Sequence, residues 1–136
     1  MLGYQRQRGA TLVEFALVIT FLLILSLLII QYGVIMNTAI TLSHLSREGA
    51  RYAAVRPGTD AAIRSYIQTA TPGLIKYSDM TITITPAEGS STRVSGNPIT
   101  VTITYNMQRK LFLPSTFFGI PIFSPTYSTK ATMLIE

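Results

Sequence analysis

The chain has 136 residues, 48% of them hydrophobic and only 12% charged, with a formal net charge of +5. No cysteine and a single histidine are present, which excludes disulfide frameworks, thiolate or multi-histidine metal sites and Cys/His nucleophile pairs, and no cofactor is expected. The basic residues are scattered singly or in the pair Arg109-Lys110, without the run that marks a nucleic-acid patch, so nucleic acid is not an expected partner.

In chain order, the first predicted element is a membrane helix. No Asp, Glu, Lys or Arg lies between Glu14 and Arg47, and the 22 residues from Phe15 to Met36 form its apolar core. At about 1.5 Å rise per residue that core is roughly 33 Å long, one bilayer crossing. Fifteen of its residues are Leu, Ile, Val or Phe, which favour insertion by about 5 to 9 kcal/mol in sum; Thr20, Ser26, Gln31 and Gly33 do not cancel that. A cleaved secretory signal would have a shorter apolar core and an Ala-x-Ala-like site, and no strong site of that kind follows Met36. Arg6 and Arg8 lie immediately before the span, whereas Arg47 and Arg51 lie several turns beyond it, so proximity favours a cytoplasmic N-terminus.

Glu14, at the mouth of this helix, has two readings that are compatible with each other. Thr11-Leu12-Val13-Glu14 has the spacing of a capping box, with the anion near the positive end of the helix dipole. The second reading adds Gly9. A cut between Gly9 and Ala10 would create an α-amine, cationic near neutral pH, about 6 Å of helix rise from Glu14. An intramembrane carboxylate calls for a partner, and the amine of Ala10, on a neighbouring copy or on the same chain, is the group at hand.

The segment Arg6-Gln7-Arg8-Gly9-Ala10-Thr11-Leu12-Val13-Glu14-Phe15, with the apolar run behind it, resembles a type IV prepilin N-terminus. That resemblance implies a leader over residues 1–9 and a prepilin peptidase cutting after Gly9. It also implies Ala10 as the mature N-terminus, Glu14 as the carboxylate that assists docking into a filament, a cytoplasmic leader and an exported C-terminal domain.

Past Met36 the helix is expected to continue. Ala39, Leu42, Leu45, Gly49, Tyr52 and Ala53 recur at three- and four-residue steps, with His44, Arg47, Glu48 and Arg51 on the other side. Pro57 and Gly58 end the helix near Val55; from Thr11 it runs about 45 residues, or roughly 67 Å. The stretch Ser46-Arg47-Glu48-Gly49-Ala50-Arg51-Tyr52-Ala53-Ala54, together with Gly9 to Ala16, resembles the TadE-like minor pilins or pseudopilins of the tight-adherence pilus system. The major pilins of that system have little beyond the helix, so residues 59–136 imply a minor component. Simple packing accounts for the same residues: Gly49 and the alanines admit a close neighbour, and Glu48 and Arg51 read as an exposed i,i+3 pair.

The remainder reads as a small extracytoplasmic α+β domain. Thr59 or Asp60 caps a short helix carrying Ile63, Tyr66, Ile67 and Ala70, stopped by Thr71-Pro72-Gly73. Met80 to Thr85 and Ile99 to Tyr105 alternate Ile or Val with Thr, and Tyr127 to Ile135 does so less cleanly; Pro86 to Asn97 is the polar hairpin loop between the first two. A three-stranded antiparallel sheet covered by the amphipathic half of the long helix is the expected architecture. The expected division is 1–9 leader, 10–36 transmembrane helix, 37–58 amphipathic extension and 59–136 domain. Residues 111–123 are strongly apolar yet broken by two prolines and a glycine, too short and interrupted to cross a bilayer. Either they tuck under the sheet, or Phe112, Phe117, Phe118 and Phe123 form an interaction surface for a partner pilin or the membrane.

Catalysis finds no support. His44 falls on the polar side of the helix, a Ser/His/Asp triad would need it to meet Asp60 or Asp79, which nothing in the spacing suggests, and no phosphate-cradling glycine loop is present. The expectation is therefore a non-enzymatic, single-pass inner-membrane minor pilin, in some circumstances incorporated into the pilus. Its expected partners are the prepilin peptidase, other pilins or pseudopilins, the assembly platform of the inner membrane and membrane lipid. The alternative is an uncleaved single-pass scaffold or binding module of the envelope.

Overall fold

Residues 3–56, 58–117 and 119–136 are described by the structure, a computed structural model. Pro57, expected to stop the first helix, and Phe118, expected in the interaction surface, lie outside the described residues, as does the side chain of Phe117.

The first helix, α1 (Gly3–Val55), spans 53 residues, a rod of about 80 Å. It ends where expected but starts eight residues before Thr11. Thr11 therefore lies inside the helix, and the expected capping box does not form. The physical reason is that residues 3–55 contain no proline, and a glycine at position 9 costs a helix only about 1 kcal/mol relative to alanine. The short helix α2 (Asp60–Ala70) is capped by Thr59, whose side chain accepts from the Ala62 amide at 3.3 Å. Ile63 and Ile67 are buried, whereas Ala70 is exposed rather than part of the apolar face.

Strands β1 (Met80–Thr85), β2 (Pro98–Asn106) and β5 (Thr126–Leu134) form an antiparallel sheet in the order β1-β2-β5. The fold is α+β, as expected. A further two-stranded ribbon, β3 (Thr116–Phe117) with β4 (Ile120–Pro121), interrupts the apolar segment and turns at Gly119, whose φ of 78° favours glycine. The sheet register explains its two faces. Ile82 opposes Ile103 and Ile84 opposes Val101, while Val101 also opposes Ala131. These side chains point to one side with Ile99 and Tyr105 and meet Leu42, Leu45, Ala50, Ala53, Ile63 and Ile67 in a single core. On the wet face, Thr100 and Thr132 share a hydrogen bond of 2.8 Å, and Thr104 and Ser128 one of 3.1 Å.

The domain clamps only one half of α1. The Leu113 amide donates to Gln31 Oε1 at 2.7 Å, Thr129 lies 3.5 Å from Ser46 between hydroxyls, and the Glu136 amide donates to the Ala54 carbonyl at 3.1 Å. Strand β5 thus climbs the helix away from the apolar half. Leu113 hangs at the lower end, level with Gln31, with Arg109 to Phe112 beside Val34, Asn37 and Thr38, and the loop 86–97 sits at the upper end. That upper loop is pinned as well as polar. Arg93 pairs with Asp60 and donates to the Gly58 carbonyl at 3.0 Å, and Glu88 accepts from the Asp60 amide at 2.8 Å at the positive end of α2.

Candidate functional site

Sequence patterning directs attention to α1 itself, taken from its lower end upward. Gly9 and Ala10 are helical and exposed, and nothing lies within 4 Å of where a Cβ on Gly9 would stand. Glu14 is exposed one helical turn above Ala10, and no described residue pairs with it. Around it Leu12, Val13, Phe15 and Leu17 are all more than half exposed. A carboxylate amid apolar surface of this kind is stable in water, but in hydrocarbon it demands a cation.

From Thr11 to Ile30 the helix is apolar and exposed on nearly every side. Twenty residues amount to about 30 Å, the thickness of a hydrocarbon core. Above Glu14 the two polar side chains of this stretch bond within the helix: Thr20 Oγ1 donates to the Ala16 carbonyl at 2.7 Å, and Ser26 Oγ to the Leu22 carbonyl at 2.8 Å. That internal satisfaction is what a lipid-facing helix requires. This one helix is long and apolar enough to cross a membrane, which fits a single-pass membrane protein.

Coverage by the domain begins at Gln31, which is fully buried. Its Oε1 accepts from Leu113, while its Nε2 is buried without a partner among the described residues. Thr38 is buried too, with its hydroxyl turned back to the Val34 carbonyl at 2.8 Å. The residues thought to tolerate the membrane therefore include one that ties the domain to the helix. Nothing local marks Gln31 for that task, because its partner lies 82 residues away in the chain.

Higher on α1, packing accounts for much of the stretch from Ser46 to Ala54. Ser46, Gly49, Ala50, Ala53 and Ala54 are buried. A Cβ on Gly49 would stand 2.8 Å from Ile67 Cδ1 and 3.5 Å from Val101 Cγ1, so α2 and β2 both approach this glycine. Glu48 does not stand idle beside Arg51 on one exposed face; it accepts from the Tyr66 hydroxyl at 3.3 Å. Tyr66 in turn stacks on Tyr52, with ring centroids 4.4 Å apart. These side chains, with Arg51, Val55 and Arg56, line a shallow recess between α1 and α2. His44 is exposed, beside Tyr127 and Arg47.

The apolar segment divides between the two readings offered for it. Leu111, Leu113 and Phe123 are half-buried, and Phe112 and Ile122 are exposed. Phe112 shares a recess with Val34, Asn37, Thr38, Leu74, Arg109 and Lys110. Lys110 holds its ammonium 5.4 Å from the centre of the Tyr105 ring, and partial burial lowers its pKa from the ordinary lysine value. Burial raises the pKa of the Tyr105 phenol.

The site thus consists of a bare apolar rod with an isolated carboxylate near its base and a small domain clamped to its upper half. The family model described as TadE-like protein matches residues 9–51 of the chain. No curated protein and no solved structure matches the chain.

Proposed function

On the premise that residues 9–51 are TadE-like, we propose that this chain is a minor pilin or pseudopilin of a tight-adherence type IV pilus, trimmed after Gly9 by a prepilin peptidase. The observation that carries the reading is Glu14, exposed on an apolar rod five residues past an exposed glycine. Trimming converts Ala10 into a terminal cation. In lipid the Glu14 carboxylate is costly until such a cation meets it. Two like helices staggered by about 6 Å, one helical turn, bring the amine of one level with the carboxylate of the other, and the lower half of α1, free of its own domain, leaves room for neighbours on every side.

In this reading the chain does no chemistry itself and is the substrate of the peptidase. The peptidase and the assembly platform would handle it in the inner membrane, with its N-terminus cytoplasmic and residues 59–136 exported.

The continuity of α1 through Gly9 and Ala10 favours a second reading, an uncleaved single-pass scaffold, since the bond to be cut lies in a helix that must first unwind. Gly9 lowers that cost, being the weakest helix former after proline.

N-terminal sequencing of the protein from its native host separates the two. Ala10 as first residue supports the pilin reading; filament growth from a chain that still begins at Met1 overturns it. The Glu14→Gln variant is expected to be trimmed normally while pilus yield falls several-fold. An unchanged yield removes the amine-pairing step.

A further inference from the structure

We propose that residues 109–113, together with Ile122 and Leu74, are a second membrane contact that seats at the polar–apolar boundary of the bilayer beside the point where α1 leaves it. The inference rests on reading residues 11–30 as the membrane span. Geometry then leaves little freedom. The Leu113 amide is bonded to Gln31 at 2.7 Å, and Gln31 is the first residue above that stretch. If the span is instead taken as Phe15 to Met36, Gln31 lies about 7 Å inside it, and Leu113 with it. Either way the Leu113 backbone stands at the membrane surface or below it, while Arg109, Lys110 and Phe112 stand within about two helical turns above, beside Val34, Asn37 and Thr38.

The chemistry of the segment suits that level. Phe112 is 72% exposed, Leu74 75% and Ile122 44%, and apolar side chains held at a bilayer boundary lose water contact at no cost in new protein contacts. Directly beside Phe112 and Leu74 stand Arg109 and Lys110. Arg109 is largely exposed and only 3.6 Å from Asp79, which neutralises part of its charge, while Lys76 is exposed just before Asp79 in the chain. The lower end therefore keeps a cationic excess, fitted to phosphate oxygens, next to its apolar tip. Long cationic side chains reach outward to headgroups while apolar neighbours sink, the arrangement common where proteins meet lipid. With one contact through α1 and a second through this segment, the domain would be held at a fixed tilt on the membrane instead of swinging on the helix.

The chain has no tryptophan, so single indoles report depth. Full-length chains carrying Leu23→Trp, Phe112→Trp or Val94→Trp are reconstituted into phosphatidylcholine and phosphatidylglycerol vesicles and titrated with lipids brominated at shallow or deep acyl positions. Leu23→Trp is expected to respond most to deep bromines. Phe112→Trp is expected to respond several-fold more to shallow than to deep ones, and Val94→Trp, in the upper loop, to neither. A silent Leu23→Trp overturns the span and this inference with it. A responsive Leu23→Trp with Phe112→Trp behaving like Val94→Trp overturns the second contact alone and leaves the span standing. Shielding of Phe112→Trp from both lipid bromines and aqueous acrylamide means that another protein copy covers it, which also overturns the lipid assignment. Arg109→Glu with Lys110→Glu in the Phe112→Trp chain is expected to reduce shallow quenching several-fold, and more in phosphatidylglycerol-rich vesicles than in phosphatidylcholine alone. Unchanged quenching overturns the part given to the basic pair.

Discussion

The two halves of α1 obey opposite rules of burial. In the lower half the largest apolar side chains are exposed, Phe21 at 66%, whereas in the upper half Ala50 and Ala53 are fully buried. One continuous helix therefore carries two kinds of surface. Below Gln31 the surface is fitted to hydrocarbon, which rewards large apolar side chains all round and asks only that polar groups bond internally. Above it the partner is a protein domain, which rewards small residues because they let the sheet and α2 approach the helix axis.

That contrast is most sharply broken by equal truncations in the two halves. Leu42→Ala, emptying a fully buried site in the upper half of α1, is expected to cost the domain about 2–5 kcal/mol. Leu23→Ala, on the bare half, is expected to leave the unfolding transition of the domain in place. Thermal unfolding of the detergent-solubilised chain measures both. If the two variants melt alike, the halves are not energetically separate.

Two of the glycines of α1 sharpen the comparison further. Gly49→Val drives a side chain into Ile67, and overpacking of this kind costs about 1–3 kcal/mol. Gly33→Val meets nothing within 4 Å and is expected to leave the domain unchanged. Denaturant midpoints of the two variants should differ in that order.

The smallest expected effect belongs to Tyr105, whose phenol is raised above its ordinary value of 10.0, chiefly by burial and also by the Asp79 charge, against a lowering by a backbone hydrogen bond at Lys76. The native state then holds its proton longer than the unfolded chain. Stability is expected to fall as pH climbs from 10 towards the folded pKa and to level off above it. Tyr105→Phe removes that contribution, and stability against pH, read beside the phenolate absorbance, checks it.

Several features were legible before any coordinates. Strand β1 occupies Met80–Thr85 because alternation of Ile and Thr allows only one face to be dry, and α2 begins at the Thr59 cap. The start of α1 was not legible: a threonine and a glutamate three apart resemble a cap wherever they occur, and only the absence of a breaker upstream carries the helix back to Gly3. Nor was the choice of partner for Glu48. Arg51 is its near neighbour in sequence, yet Tyr66 arrives from α2 once Gly49 lets the two helices close.

Local periodicity, length and charge by themselves determined that the chain has an apolar rod fit to cross a bilayer, an amphipathic continuation and alternating strands, because each of those properties repeats within a few residues. Tertiary structure alone decided where the rod becomes covered, that Gln31 holds Leu113, and which end of the sheet hangs toward the apolar half. Those outcomes depend on residues many tens of positions apart, and a hydrogen bond between such residues leaves no period in the chain for a reader to find.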